Sequence, residues 1–166
     1  STCWLCSLRI HDVQRWLSVP HDPRRTARYL AHVDSFPPHY AALMRANAAP
    51  LGARIDTLRA AAERFRFFLA WWALGDDLFH RGPLVGRSRG EGTQAFERAA
   101  ALRPDFAPAW EHLAFVRITE GDEPGASEAM ARWLETMRGE PRDPFSLDLK
   151  ALLESAFAWR FRPPAA

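Results

Sequence analysis

The chain has 166 residues, 48% hydrophobic and 25% charged, with 22 basic against 20 acidic side chains. That composition fits one globular domain able to bury a continuous core, and a net charge of +2 excludes the one-sided basic balance of a domain built to hold phosphate backbones. The longest apolar run, 67–74, has eight residues where a bilayer span needs ~20, so a membrane-spanning reading is excluded too.

The first residues, Ser1-Thr2-Cys3-Trp4-Leu5-Cys6, hold neither an initiator Met nor a basic region ahead of an apolar stretch. No signal peptide is visible, and the chain reads as a fragment of something longer. Lys150 is the one lysine among the basic residues, and arginine dominance beside abundant Ala and Pro points to a high-GC bacterial source. Two cysteines are too few to staple a secreted scaffold, so the expected setting is the cytoplasm with reduced thiols.

Apolar residues at three- and four-residue spacing, among many Ala, Leu and Arg, predict helices at 3–17, 24–33, 40–48, 55–79, 93–102, 109–118, 126–137 and 147–159. Punctuation falls between them: Pro20 and Pro23, Pro37-Pro38, Pro50 with Gly52, the run 82–92, Pro104, Gly121 with Pro124, and 139–144. No alternating run flanked by turn signals predicts a strand. The expected fold class is all-α.

Two segments match each other. Trp71-x-x-Leu74-Gly75-x-x-Leu78 and Trp110-x-x-Leu113-Ala114 each precede a second helix, with Phe96, Ala99 and Pro104 after the first and Ala126 and Met130 after the second. This resembles the tetratricopeptide repeat (TPR) family, whose 34-residue pattern is W-x2-L-G-x2-Y, then A-x3-F, then P. A step of ~34 back from Trp71 lands on Pro37, with Tyr40, Ala41 and Met44 in the next three roles and Ala53 and Ala60 at the small positions of the second helix. A further step back gives Cys3, Cys6, Ser7 and Ile10, and a step forward from Trp110 gives Pro144 with Leu147.

The resemblance implies a TPR-like α-α superhelix, a solenoid of antiparallel helical hairpins in which large residues fill the space between helices and small ones permit close approach. It divides a single domain over 1–166 into a degenerate repeat at 1–36, repeats at 37–70, 71–109 and 110–143, and a partial or capping helix at 144–166. Trp71 and Trp110 stand 39 apart, so the hairpin between them holds five extra residues. Gly92 stands where Ala is usual, Phe65 where Pro is usual, and Pro20 and Pro23 break the register of the first hairpin. The segment 75–86 followed by 95–99 is similar to the repeat regions of bacterial regulatory proteins, including some serine/threonine kinases and transcriptional activators. The chain itself has no kinase signature.

Cys3 and Cys6 form a C-x-x-C that, with His11, is a candidate metal or thiol-redox site. The repeat step instead puts both sulfurs at core positions, the reading preferred here. The run 82–88 resembles a phosphate loop only faintly, with Arg87 in place of lysine and no preceding strand. Asp76, Asp77 and His80 fall on one helix, where Asp77 and His80 at i, i+3 can share a face, but no third element is seen to converge on them. Arg24, Arg25 and Arg28, with Arg15 nearby, read as a solvated face, and Glu120-Gly121-Asp122-Glu123 as a turn whose charges favour the start of the next helix.

The first helix of each pair in the family lines a concave groove. Mapped here, that face holds Leu69, Trp72, Asp76 and Phe79 from one repeat, with Pro108, Glu111, Phe115 and Ile118 from the next. An apolar groove rimmed by Asp76 and Glu111 suits a segment with apolar anchors and a basic residue. The expected function is a non-catalytic scaffold binding a protein or peptide, or another domain of the same parent protein, with no nucleic acid, membrane or cofactor and no catalytic or metal-binding residue. The rival readings are the metal or thiol-redox protein and a purely structural or dimerisation module.

Overall fold

A computed structural model describes residues 23–138 and 143–162, with the isolated positions Cys6, Ile10 and Val13. Cys3, His11, Arg15 and most of the first predicted hairpin lie outside the described residues. The regular elements are α1 (Pro23–Leu30), α2 (Pro38–Ala48), α3 (Leu51–Phe65), α4 (Phe68–Arg81), α5 (Thr93–Leu102), α6 (Ala107–Glu120), α7 (Glu123–Thr136) and α8 (Pro144–Phe161). Among the described residues there is no strand, and no helix is long and apolar enough to cross a membrane.

Proline and glycine set most of the boundaries. Pro38, Pro108, Pro124 and Pro144 occupy first turns, where a missing N–H leaves no helical hydrogen bond unmade. That is why the helices predicted to begin at 109 and 126 begin at Ala107 and Glu123. Asp122 and Asp143 cap α7 and α8, accepting from the amides of Gly125 and Ser146 at 3.1 and 2.9 Å. Gly121 ends α6 in the left-handed region at φ 82°, which lets the chain reverse in a single turn.

One predicted helix, 55–79, is broken in two. Arg66 closes α3 at φ 46°, a left-handed conformation costing ~1–2 kcal/mol in a residue with a Cβ. The kink carries Phe67 onto His39 and Tyr40, with ring centroids 4.7 and 5.1 Å apart in edge contacts, and ring burial of this kind offsets the backbone cost. The run 82–92 forms two short 3-10 turns, Gly82–Val85 and Arg89–Gly92. Ser88 opens the second with a capping box, its hydroxyl accepting from Gly90 at 3.2 Å while its own amide donates to Glu91 at 3.0 Å.

The contacts define two compact units, Ser1–Ala70 and Trp71–Ala166, with the boundary inside α4. In the first, α2 and α3 form a hairpin around fully buried Leu43, Met44, Ile55 and Leu58, and α1 contributes fully buried Tyr29. In the second, α6 and α7 form the most extensively packed helix pair, α5 packs on α6, and α8 lies against both α6 and α7. Its core includes Leu74, Leu78, Phe96, Leu113, Val116, Trp133 and Leu153.

Gly75 of α4 sits where a Cβ would come within 2.6 Å of the Phe96 ring on α5. Phe96 is fully buried and flanked by Trp72, Phe79 and His112, at centroid distances of 5.7, 6.4 and 5.0 Å, so it has nowhere to retreat. Trp110, expected in the core, is instead half-buried. Its indole donates to the Pro104 carbonyl at 2.9 Å, on the edge of a cleft of about 300 Å³ that Glu128, Arg132 and Glu135 also line.

Three outcomes are expected from equilibrium urea unfolding. Gly75→Ala destabilises by ~1–3 kcal/mol through overpacking, although Ala is intrinsically the better helix former by ~1 kcal/mol. Phe96→Ala costs ~3–5 kcal/mol through loss of a buried ring, whereas Trp110→Ala costs less than half as much because its ring is already partly hydrated.

Candidate functional site

The seven residues predicted to line a groove do not all remain available. Leu69 is half-buried and belongs to the first unit. In the second unit Trp72 and Ile118 are buried, at 7% and 4% exposure. The Trp72 indole packs among Phe96, Phe106 and His112, at centroid distances of 5.7, 5.0 and 5.1 Å. Asp76, Phe79, Glu111 and Phe115 are half-buried, and the rings of Phe79 and Phe115 lie 6.3 Å apart.

A polar cluster lies within that patch. Asp76 and His80 are one turn apart on α4, so both side chains leave the same helix face, with His80 Nε2 3.7 Å from Asp76 Oδ1. Opposite them α6 presents His112, whose Nε2 is 3.1 Å from His80 Nε2. One donor atom from each of Asp76, His80 and His112 lies within 4.8 Å of the other two. Asp77, which at i, i+3 could share a face with His80, is fully buried and faces Arg81 of its own helix at 3.4 Å. The third element not foreseen from sequence is α6.

His112 is held from several sides. Its ring makes edge contacts with Phe79 and Trp72, both at 5.1 Å, and a tilted contact with Phe96 at 5.0 Å. Its Nδ1 lies 2.9 Å from the Pro108 carbonyl. A carbonyl only accepts, so Nδ1 carries the proton and Nε2 presents a bare lone pair. His80 Nε2 therefore donates across the 3.1 Å contact.

Burial dominates the electrostatics. It pushes His112 down to about 4, with the Pro108 hydrogen bond opposing and the neighbouring His80 adding to the shift. Burial, followed by the Asp76 charge, pushes the Glu111 carboxyl up to about 7. The 3.6 Å approach of His112 Nδ1 to Glu111 is thus no full ion pair at neutral pH, since the imidazole is uncharged and the carboxyl is about half protonated.

The other sequence candidates fare differently. Cys6 is exposed and disulfide-bonded, so the expectation of a reduced core thiol is corrected. Arg24 and Arg28 are exposed on α1. Arg87 of the supposed phosphate loop lies 3.6 Å from Glu91.

The two shifted groups set opposite slopes. Glu111 is raised in the fold, so the unfolded chain ionises first and stability falls as pH rises from 4.5 to about 7. His112 is depressed, so stability is whole above 6.5 and falls as pH drops towards 4. Glu111→Gln removes the first effect. In EDTA it is expected to stabilise the protein by roughly 2–3 kcal/mol at pH 8 and by much less at pH 4.5. Urea unfolding at the two pH values checks this, and a gain independent of pH would contradict it.

No protein-family model matches the chain, and no curated protein matches it significantly.

Proposed function

We propose that the chain is a tetratricopeptide-type repeat module, a superhelix of helical hairpins that recognises a protein segment and catalyses no reaction. The observation that carries this reading is the Gly75–Phe96 approach, joined by Gly92, whose Cβ would lie 3.3 Å from the Gly75 carbonyl oxygen. Small residues facing each other, locked by one large ring, are what the repeat pattern requires at those positions. The starts of α4 and α6 add support, because Trp71 and Trp110 each fall at the fourth residue of their helix.

The partner surface is Phe79 and Phe115 with Asp76 beside them, a smaller patch than the full groove. It suits an extended or helical segment carrying an apolar anchor and one Arg or Lys, from a separate protein or from another part of the same parent. A bacterial regulatory setting belongs to the same proposal. A homodimerisation module is the second reading, favoured by α8. There Phe145, Leu152 and Trp159 recur every seven residues, so they share a helix face, and they are 75%, 56% and 77% exposed.

Selection of a displayed random-peptide library on the intact chain is expected to enrich peptides that pair an apolar anchor with a basic residue. Phe115→Asp, folded by circular dichroism, is expected to weaken those peptides at least tenfold. Unchanged affinity in that variant would reject the patch. A dimer by light scattering that Trp159→Glu dissociates would favour the second reading.

A further inference from the structure

The cluster of Asp76, His80 and His112 has a geometry that peptide recognition does not need. Two imidazole nitrogens and one carboxylate oxygen from two helices share a space less than 4.8 Å across. Around a tetrahedral ion with bonds of ~2.0–2.1 Å, neighbouring ligand atoms stand about 3.3 Å apart. The His80 and His112 Nε2 atoms are 3.1 Å apart, and His80 Nε2 is 3.7 Å from Asp76 Oδ1. Both separations lie within a few tenths of an ångström of that value, and the third, between Asp76 and His112, is within 4.8 Å, to be shortened as Asp76 closes on the ion.

The surroundings fit as well. A metal-bound imidazole commonly donates its other N–H to a carbonyl, which fixes the tautomer and aims the free lone pair. His112 makes that hydrogen bond to Pro108 at 2.9 Å, while the rings of Trp72, Phe79 and Phe96 hold it in place. The His80 side chain is 53% exposed and that of Asp76 18%, so the buried ligand is rigid and the outer two have room to close. Access from solvent lies past His80.

We infer that Asp76, His80 and His112 form a binding site for a first-row divalent transition metal ion, with Zn²⁺ the best-fitting member. Two neutral nitrogens and one carboxylate suit such borderline ions and suit Mg²⁺ or Ca²⁺ poorly. On binding, the proton on His80 Nε2 gives way to the Nδ1–H tautomer, and both Nε2 lone pairs face the ion. A fourth position stays open for water or an outside ligand. The bound ion ties α4 to α6 across the aromatic core of the second unit.

The test uses the intact chain after EDTA treatment and dialysis. Co²⁺ titration followed by its visible d–d absorption, with calorimetry using Zn²⁺, is expected to show one equivalent bound. His80→Ala and Asp76→Asn alter exposed or half-buried side chains and should fold; each is expected to weaken the ion at least tenfold, while His39→Ala leaves it unchanged. Zn²⁺ should raise the melting temperature of the native chain and not that of His80→Ala. Absence of binding up to millimolar ion, binding undiminished in His80→Ala and Asp76→Asn, or equal competition by Mg²⁺ would each overturn the assignment. Asp76 belongs to both sites, so peptide selection by the Phe79–Phe115 patch is read on the EDTA-treated chain, where its outcome is independent of the ion.

Discussion

A missing side chain governs the second unit. Because Gly75 presents only backbone, the Phe96 ring of α5 seats directly against α4, and this sets the distance at which the other aromatic rings meet. Trp72 and Phe79 touch Phe96 from α4, and His112 reaches the same ring from α6. Protein interiors tolerate little slack, so widening one contact by a methyl group displaces the whole group. The steric requirement at one glycine thus reaches the polar cluster through three rings.

That shell gives one histidine properties unlike those of its neighbour. His112 is nearly enclosed, neutral over the physiological range and fixed by Pro108; His80, one hydrogen bond away, is half in solvent. Glu111, beside His112 in sequence, is kept largely protonated at mildly acid pH by burial and by Asp76. Desolvation rather than ion pairing therefore dominates at both His112 and Glu111. A surface assembled in this way is more apolar than its residue names suggest.

Sequence patterns reveal helices better than their breaks. Pro108, Pro124 and Gly121 announce their turns because each imposes a backbone preference of its own. Phe65-Arg66-Phe67-Phe68 announces nothing, since the left-handed Arg66 is held by the seating of Phe67 on His39 and Tyr40, a tertiary effect. Trp110 fits the repeat pattern yet lies on a cleft edge, because pattern position gives the face of a helix and not the depth of cover. The polar cluster was half legible: Asp76 and His80 stand at the i, i+4 spacing of one helix face. His112 becomes their neighbour only when α6 packs alongside.

The edge contact between Trp72 and His112, 5.1 Å between ring centroids, places an intrinsic fluorophore on the buried histidine. Indole emission responds to the charge and electron demand of rings it touches, so the excited state of Trp72 is coupled to whatever acts on that imidazole. In a variant that keeps Trp72 and replaces the other six tryptophans, its emission would report from inside the core on events that begin at the solvent-facing His80.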